Sequence, residues 1–505
     1  MPSLTAVHPW LHAGFGAFVN ACANLPIGLG GAGPAGQADA IPMPPPLVDP
    51  PVLRAVEDGA LISSASFGAL EFLNGYAGVF IVAFLVTLIS TPFVRRLAIE
   101  MEIIDKPNEA RKQHKYPIAY LGGFAVFLGV MAAIAYSYAI VDGPGGSLGP
   151  MPLSIVIGII AITFTGLADD VWGWDPRLKI AGQLVAAAAL AVQDIGTRVA
   201  EGVLAPLFGE PQTVLLTLGP VALQSGDVFY WTGTALIALF VLGGCNAMNL
   251  IDGLDGLCSG TAAIQATALL AIALLMAAGT PIADPFESLA GVRIVLCLAL
   301  LGAVLGFLPW NFNPAVIFLG DCGSLLIGYL VVVSILMLGE QGDTHLVFAG
   351  LIIFALPIMD TALAILRRKL AGVPMSTADA NHIHHIVKRA VGGVKRAVFT
   401  LYAISFSFGI LGVVLGALAI EKLVRLRIVY AVSIVLFGAI AAIALKVALR
   451  SRWQAHLEQP ADATAMPALA PVLVPSAVSS TAPSAVPAVI EPQKSDPGAS
   501  TASTP

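Results

Sequence analysis

Apolar runs of roughly twenty residues recur from Gly75 to Leu449, each closed by a short polar break. At ~1.5 Å per residue, a helix of that length crosses the ~30 Å hydrocarbon core of a bilayer. The period-two alternation of a membrane β-barrel is missing. The spans should therefore be helices, which satisfy their backbone groups internally. The pattern places helices near 75–95, 119–140, 151–168, 178–193, 232–249, 257–279, 290–308, 322–338, 345–366, 397–420 and 427–449. The expected fold class is all-α, a polytopic membrane protein of about 11 transmembrane helices. Between the fourth and fifth spans, Val214–Leu218 and Val228–Trp231 are expected to pair as a short hairpin.

The two ends lack this pattern. Residues 1–70 are rich in Gly, Pro and Ala and include Pro42-Met-Pro-Pro-Pro46, a composition that opposes a packed core. Leu11–Leu29 is mildly apolar but contains Pro26 and lacks a basic stretch before it, so it reads as part of a flexible extension. Residues 458–505 are mostly Pro, Ala, Ser and Thr and read as a disordered tail. The multi-helix domain is expected over 75–450.

Composition agrees: 57% of the residues are hydrophobic and 11% charged. The net charge of −6 selects no partner, and no stretch resembles a nucleic-acid surface. The five cysteines are odd in number, form no CxxC and lie mostly in or beside apolar segments, so free thiols are expected. Lys and Arg crowd the loops at 95–117, 169–179 and 367–396 and the C-terminal end, and are sparse in the alternate loops. By the positive-inside rule the crowded side is cytoplasmic, which puts the N-terminus outside and the C-terminus inside. Lys422–Arg427 runs against this bias.

Five polar islands then fall on that one side. The first is Arg111-Lys-Gln-His114-Lys-Tyr-Pro117, leading to Gly122-Gly123. Taken alone, it is also an ordinary basic anchor. The second is Asp169-Asp170, followed by Lys179. Adjacent carboxylates at a helix end repel unless a cation lies near them. The third, Asn246-Ala-Met-Asn249-Leu-Ile-Asp252-Gly-Leu-Asp255-Gly256, separates two apolar runs. Its spacings would place each like pair on one helix face, although Asn, Asp and Gly are also turn formers. In the fourth, Gly320-Asp321-Cys-Gly-Ser324 opens an apolar run, offering a carboxylate and free N–H groups. The fifth is Asn381-His382-Ile-His384-His385, with Lys388 and Arg389 after it. On a helix His382 and His385 would share a face and His384 would point elsewhere. Hydrogen-bond donation to diphosphate oxygens suits this charge environment better than a transition metal does. Acids and amides for a hard cation, bases for phosphate and glycines for close approach are the equipment of phosphoryl transfer at a membrane surface.

The motifs in this order resemble the polyprenyl-phosphate N-acetylhexosamine-1-phosphate transferases. The likeness is carried by Asp169-Asp170 with Lys179, Asn246-x-x-Asn249-x-x-Asp252-Gly-x-Asp255-Gly, Gly320-Asp-x-Gly-Ser324 and His382-Ile-His384-His385, and spans roughly 75–450. Arg111-Lys-x-His114 resembles the family's first cytoplasmic loop, with Ala119 where many members have a second proline. The resemblance implies a reaction in which undecaprenyl phosphate attacks the β-phosphorus of a UDP-N-acetylhexosamine and UMP leaves. It implies Asn249 and Asp321 as ligands of Mg²⁺ (or Mn²⁺). The catalytic candidates are Asp169, Asp170, Asp252, His384 and His385. Substrate contacts are expected from Lys179, Asn246, Asp255, His114, His382 and Arg111. Of these, Lys179 and one paired Asp would meet the lipid phosphate, Asp255 would lie near the uracil, and the histidines near the diphosphate or sugar.

His382-Ile-His-His385 resembles the subfamily that takes UDP-GlcNAc or a similar small sugar for O-antigen, teichoic acid or related polymers. The alternative subfamily takes UDP-MurNAc-pentapeptide and typically carries three consecutive histidines. The expected setting is the bacterial inner membrane with a cytoplasmic active site. Expected partners are the UDP-sugar, undecaprenyl phosphate and the lipid bilayer, with a homodimer as one option and no nucleic acid. A secondary transporter is the rival from another class, but its site would lie near the bilayer midplane between two related halves. A CDP-alcohol transferase would need Ala-Arg after Asp-Gly, which is absent here. A phosphate monoester is already largely a dianion near neutral pH, so direct attack by the lipid phosphate is expected, with Asp169 or Asp170 positioning the acceptor or taking its residual proton; an aspartyl intermediate on the acid pair is the alternative.

Overall fold

The computed structural model describes residues 69–105, 117–139, 151–218, 221–279, 289–372 and 382–457. Arg111, His114 and the two terminal extensions lie outside the described residues. In chain order the elements are α1 (Ala69–Glu100), β1 (Ile104–Asp105), β2 (Ile118–Ala119), α2 (Gly122–Ala139), α3 (Leu153–Trp172), α4 (Pro176–Val192) and α5 (Glu201–Phe208). They continue with β3 (Val214–Leu218), β4 (Val221–Gln224), α6 (Ser225–Ile251), α7 (Leu257–Gly279), α8 (Ala290–Asn311) and α9 (Gly320–Met337). The last are α10 (Thr344–Ile353), α11 (Ala355–Ala371), α12 (Ile383–Val391), α13 (Val394–Ile420) and α14 (Leu426–Leu457).

Each of the eleven expected segments is helical, and the protein is an all-α multi-pass membrane protein. Among the described residues, nine helices are each long and apolar enough to cross a bilayer. The two remaining segments differ for local reasons. α4 has 17 residues, short for a single perpendicular span. The expected helix at 345–366 is instead α10 and α11, bent by 75° at Phe354. Pro357, in the first turn of α11, has no N–H to give to a carbonyl of α10, so the ladder breaks there.

The expected hairpin is half right. β3 pairs antiparallel with Val221–Gln224, and Val228–Trp231 belongs to α6. That apolar run is continuous with the spanning segment after it, and helix propagation extends back through it. The side chain of Asp227 accepts the backbone N–H of Gln224 at 2.9 Å and starts the helix.

α9 is the central element. It packs on α2, α3 and α6, and 94% of its spanning window is buried. α1 is peripheral: Ile81, Leu85, Ile89 and Phe93 recur every four residues and are all exposed. A stripe of that kind is the lipid-facing surface expected of a spanning helix. Close packing at the centre depends on small residues. A Cβ on Gly166 of α3 would collide with the backbone of Asp321 and Cys322 at the start of α9. The ends of α3, α4, α6 and α9 therefore meet closely enough for short side chains to touch. The four described cysteines, Cys245, Cys258, Cys297 and Cys322, are free and buried, as expected.

Candidate active site

α3 ends in the two carboxylates of Asp169 and Asp170, and Gly173 in left-handed conformation (φ 61°) stops the helix after them. α4 starts three residues later on Asp175, whose side chain accepts the Arg177 N–H at 2.8 Å, with Pro176 at the first helical position. This tight connection returns the chain so that Lys179 faces the end of α3. Its ammonium lies 2.7 Å from Asp169 and also pairs with Asp321. Opposite charge there offsets the repulsion expected of crowded acids.

The two adjacent acids have different partners. Asp170 faces the N-terminus of α9 and accepts the N–H groups of Asp321 at 2.8 Å and Cys322 at 2.9 Å, one on each oxygen. Gly320, with φ of 72°, gives the backbone the left-handed turn that launches α9 beside this carboxylate. A carboxylate in that place also meets the positive end of the helix dipole. Asp170 thus caps α9 and orients Asp321, while Asp169 pairs with Lys179 and lies within hydrogen-bond reach of Asp321.

Asp321 is the hub. Lys179 binds Oδ2, and Asn249 Nδ2 donates to Oδ1 at 2.8 Å. Asn249 also donates to Ser324 Oγ at 3.0 Å. Asn246 shares α6 with Asn249 but turns to α4, donating to Gln183 at 2.9 Å and to the Leu242 carbonyl at 2.8 Å. The two asparagines therefore do not act on one target.

The expectation that Asp252 and Asp255 share a helix face is corrected by the chain path. α6 ends at Ile251, Asp252 is its C-cap (φ −74°, ψ 51°), and Asp255 lies in the turn before α7. Glycines at 253 and 256 interrupt helix there more cheaply than they would continue it. Burial first, and then the charges of Asp321, Asp170 and Asp255, push the Asp252 carboxyl up to about 8. Asp255 accepts from Asn313 Nδ2 at 2.8 Å and from the Ala315 N–H at 3.1 Å, tying this turn to the loop before α9.

The histidine segment also departs from expectation. His382 is the N-cap of α12, outside the helix (φ −59°, ψ 154°), so helical spacing does not relate it to His385. His384 does not point away. It is buried against Gly253, and its ring stacks parallel to that of His382 at 5.6 Å. His385 lies beside it at 4.3 Å between centroids. Burial, and then the neighbouring His385, lowers the His384 pKa to about 4, so the ring is neutral at pH 7. Burial and His382 also lower that of His385. His384 is therefore a neutral imidazole, able to donate or to accept a hydrogen bond. A methyl on Gly253 would overlap its imidazole. Gly253→Ala is expected to retain the fold and lose transfer by about 10-fold or more, since ~1 Å displacements near reacting groups are that costly. Steady-state rates on detergent-purified protein, beside a melting curve, check this.

Several residues here escaped sequence reasoning. Tyr120 stands among Asp105, Asp170, Asp252 and Asp321; its burial and their charges raise its hydroxyl pKa. Gln183 and Ser324 are buried partners of the two asparagines. Asp360, 1% exposed, bonds His382. The lone acid in the apolar stretch 351–366 was the available signal for Asp360. Nothing in local sequence marks Tyr120. Among the described residues, no group of three or more His, Cys, Asp or Glu forms a cage for a metal ion.

A bundle of spanning helices whose ends converge on acids, amides and one lysine is the frame of a membrane-embedded transferase. The chain belongs to glycosyl transferase family 4, whose sequence profile matches residues 152–339. It is 33% identical to a "Probable undecaprenyl-phosphate N-acetylglucosaminyl 1-phosphate transferase" of Bacillus subtilis (strain 168), over 68% of this chain and 85% of that protein. It is also 33% identical to a "Decaprenyl-phosphate N-acetylglucosaminephosphotransferase" of Mycolicibacterium smegmatis, over 70% of this chain and 86% of the relative. An "Undecaprenyl-phosphate alpha-N-acetylglucosaminyl 1-phosphate transferase" of Escherichia coli (strain K12) is 30% identical over 64% and 78%.

Proposed function

We propose that the chain transfers N-acetylglucosamine-1-phosphate from UDP-GlcNAc to undecaprenyl phosphate, releasing UMP, at the cytoplasmic face of a bacterial inner membrane. The observation that carries this reading is the joining of Asp169, Lys179, Asn249 and Asp321 at the ends of four packed helices. The names of the relatives support the sugar phosphate and the polyprenyl acceptor. The crowding of Lys and Arg in the loops that flank this site supports the cytoplasmic orientation.

The reaction asks the protein to hold two phosphate groups in line and to balance their charge. Lys179, already between two carboxylates, offers its ammonium to the acceptor phosphate. A phosphate monoester has a second pKa near ~6 and is largely a dianion at neutral pH, so it needs little deprotonation to attack. Asp169 orients Lys179 and takes any residual proton. Neutral His384, beside the Asp252–Asp255 turn, donates to the donor's diphosphate or sugar.

Mg²⁺ suits the donor set. Asp321 and the amide oxygen of Asn249 would hold it, and two protein oxygens suit an ion that keeps waters and rides with substrate phosphates. When bound, it would neutralise charge developing on the bridging oxygen. Mn²⁺ would take the same ligands.

Purified protein incubated with UDP-GlcNAc, undecaprenyl phosphate and Mg²⁺ should release UMP and form a lipid-linked sugar, and excess chelator should stop both. Release of UMP with a lipid product in excess chelator would refute the metal assignment. Absence of product with this pair, but turnover with another UDP-sugar, would refute the donor.

A further inference from the structure

α11 carries a carboxylate in an apolar setting, at Asp360, past the bend at Phe354. It is 1% exposed and has two partners on the segment that leads into α12. Its Oδ1 accepts the backbone N–H of Ile383 at 2.8 Å, and its Oδ2 lies 3.1 Å from Nδ1 of His382. A carboxylate on that nitrogen keeps the proton at Nδ1 and fixes the ring's plane. The His382 ring lies parallel to His384, within 3°. His384 has no such tether: its buried Nδ1 meets no hydrogen-bond partner among the described residues. Packing against His382, His385 and Gly253 sets its orientation.

We infer that Asp360 is a positioning residue for transfer: through His382 it sets the orientation of His384 against the Asp252–Asp255 turn. The chain of contacts is carboxylate to imidazole by hydrogen bond, imidazole to imidazole by stacking, and imidazole to turn by packing. The first link is a 3.1 Å hydrogen bond, the second a parallel stack with centroids 5.6 Å apart, and the last reaches the turn that carries Asp252 and Asp255. The inference rests on the transfer reaction proposed above.

Asp360→Asn separates positioning from mere capping. Its amide oxygen can still accept the Ile383 N–H, but its NH₂ then faces His382 and favours the wrong tautomer. Removing an outer carboxylate that orients a metal-bound histidine typically costs about 10–100-fold, and a loss on that scale is expected for this pair. The expected result for Asp360→Asn is a kcat lowered in that range, with KM for the sugar nucleotide little changed. Carbethoxylation of His384 by diethyl pyrocarbonate, read by mass spectrometry on the full-length protein, should rise several-fold. His382→Phe keeps a flat ring for stacking but loses the hydrogen bond, so it should give the same two changes. The double variant should be no worse than either single one, as for residues acting through one contact. Wild-type kcat and labelling in Asp360→Asn would overturn the inference. So would a lower yield of folded protein with unchanged kcat per folded molecule, which marks a structural role alone. If Asp360→Asn does not fold, His382→Phe decides the matter by the same readouts. If the wild-type protein transfers nothing, the proposed reaction fails, while the labelling result still tells whether Asp360 orients His384.

Discussion

Asp321→Asn should abolish measurable transfer, by about 10³-fold or more, because one charged hub is lost from a site built to balance phosphate charge. The carboxylate binds Lys179 on one oxygen and Asn249 on the other, so no neighbour is placed to take over both roles. Asparagine preserves the volume and can still accept from one of them. The helix itself should survive, since its cap is the side chain of Asp170 acting on backbone N–H groups that the substitution does not touch. The expected phenotype is therefore a protein with a near-normal melting temperature that has lost activity and the dependence of its residual rate on Mg²⁺. Initial rates across a Mg²⁺ titration, set beside a thermal melt, check it. A variant keeping a tenth of the wild-type rate would remove Asp321 from the centre of the mechanism.

Much of the fold was legible because a bilayer constrains it so strongly. Any chain segment in hydrocarbon must satisfy its own backbone, so an apolar run of the right length is a helix almost by necessity. Where that constraint relaxes, legibility falls. Val228–Trp231 has strand-like composition, but it lies within reach of a spanning helix and joined it. The short strands β1 and β2 are two residues each and leave no periodic trace. Residues 345–366 read as one apolar run, and the bend within it follows from Pro357, visible in the sequence but ambiguous without knowing what packs there.

The site was legible as a set of residues and not as a set of contacts. Polar groups in apolar surroundings stand out by cost alone, and Asp169, Asp170, Lys179, Asn249 and Asp321 do meet. Which group faces which depends on helix ends, where one residue of boundary shift rotates a side chain by ~100°. His382 falls one residue outside α12, and that alone invalidates the helical-face argument that turned His384 away. Asp252 falls one residue outside α6 with the same consequence. Asp360 is a single acid in an apolar stretch, and its partner His382 is 22 positions away, so no local pattern joins them.

The acid pair at the end of α3 allows the two mechanisms to be separated. An aspartyl nucleophile must present a free oxygen to the donor's β-phosphorus, and the alternatives are Asp169 and Asp170. Both oxygens of Asp170 already accept backbone N–H groups of α9, and attack by either would break the cap that sets Asp321 in place. That leaves Asp169, whose carboxylate pairs with Lys179. Asp169→Asn should lower the rate by about 10²–10⁴-fold, the usual cost of a positioning or base group, with the melting temperature nearly unchanged. Asp170→Asn should lower both: an amide can accept only one of the two N–H groups, and an unsatisfied buried donor costs about 1–3 kcal/mol. Direct attack by the lipid phosphate predicts that enzyme and UDP-GlcNAc release no UMP until undecaprenyl phosphate is added, because the nucleophile arrives with the acceptor. A stoichiometric burst of UMP without lipid, with a phosphosugar trapped on Asp169, would instead establish the covalent route. Residual turnover in Asp169→Asn argues the same way as an absent burst, since removing a nucleophile leaves no path for the two-step reaction.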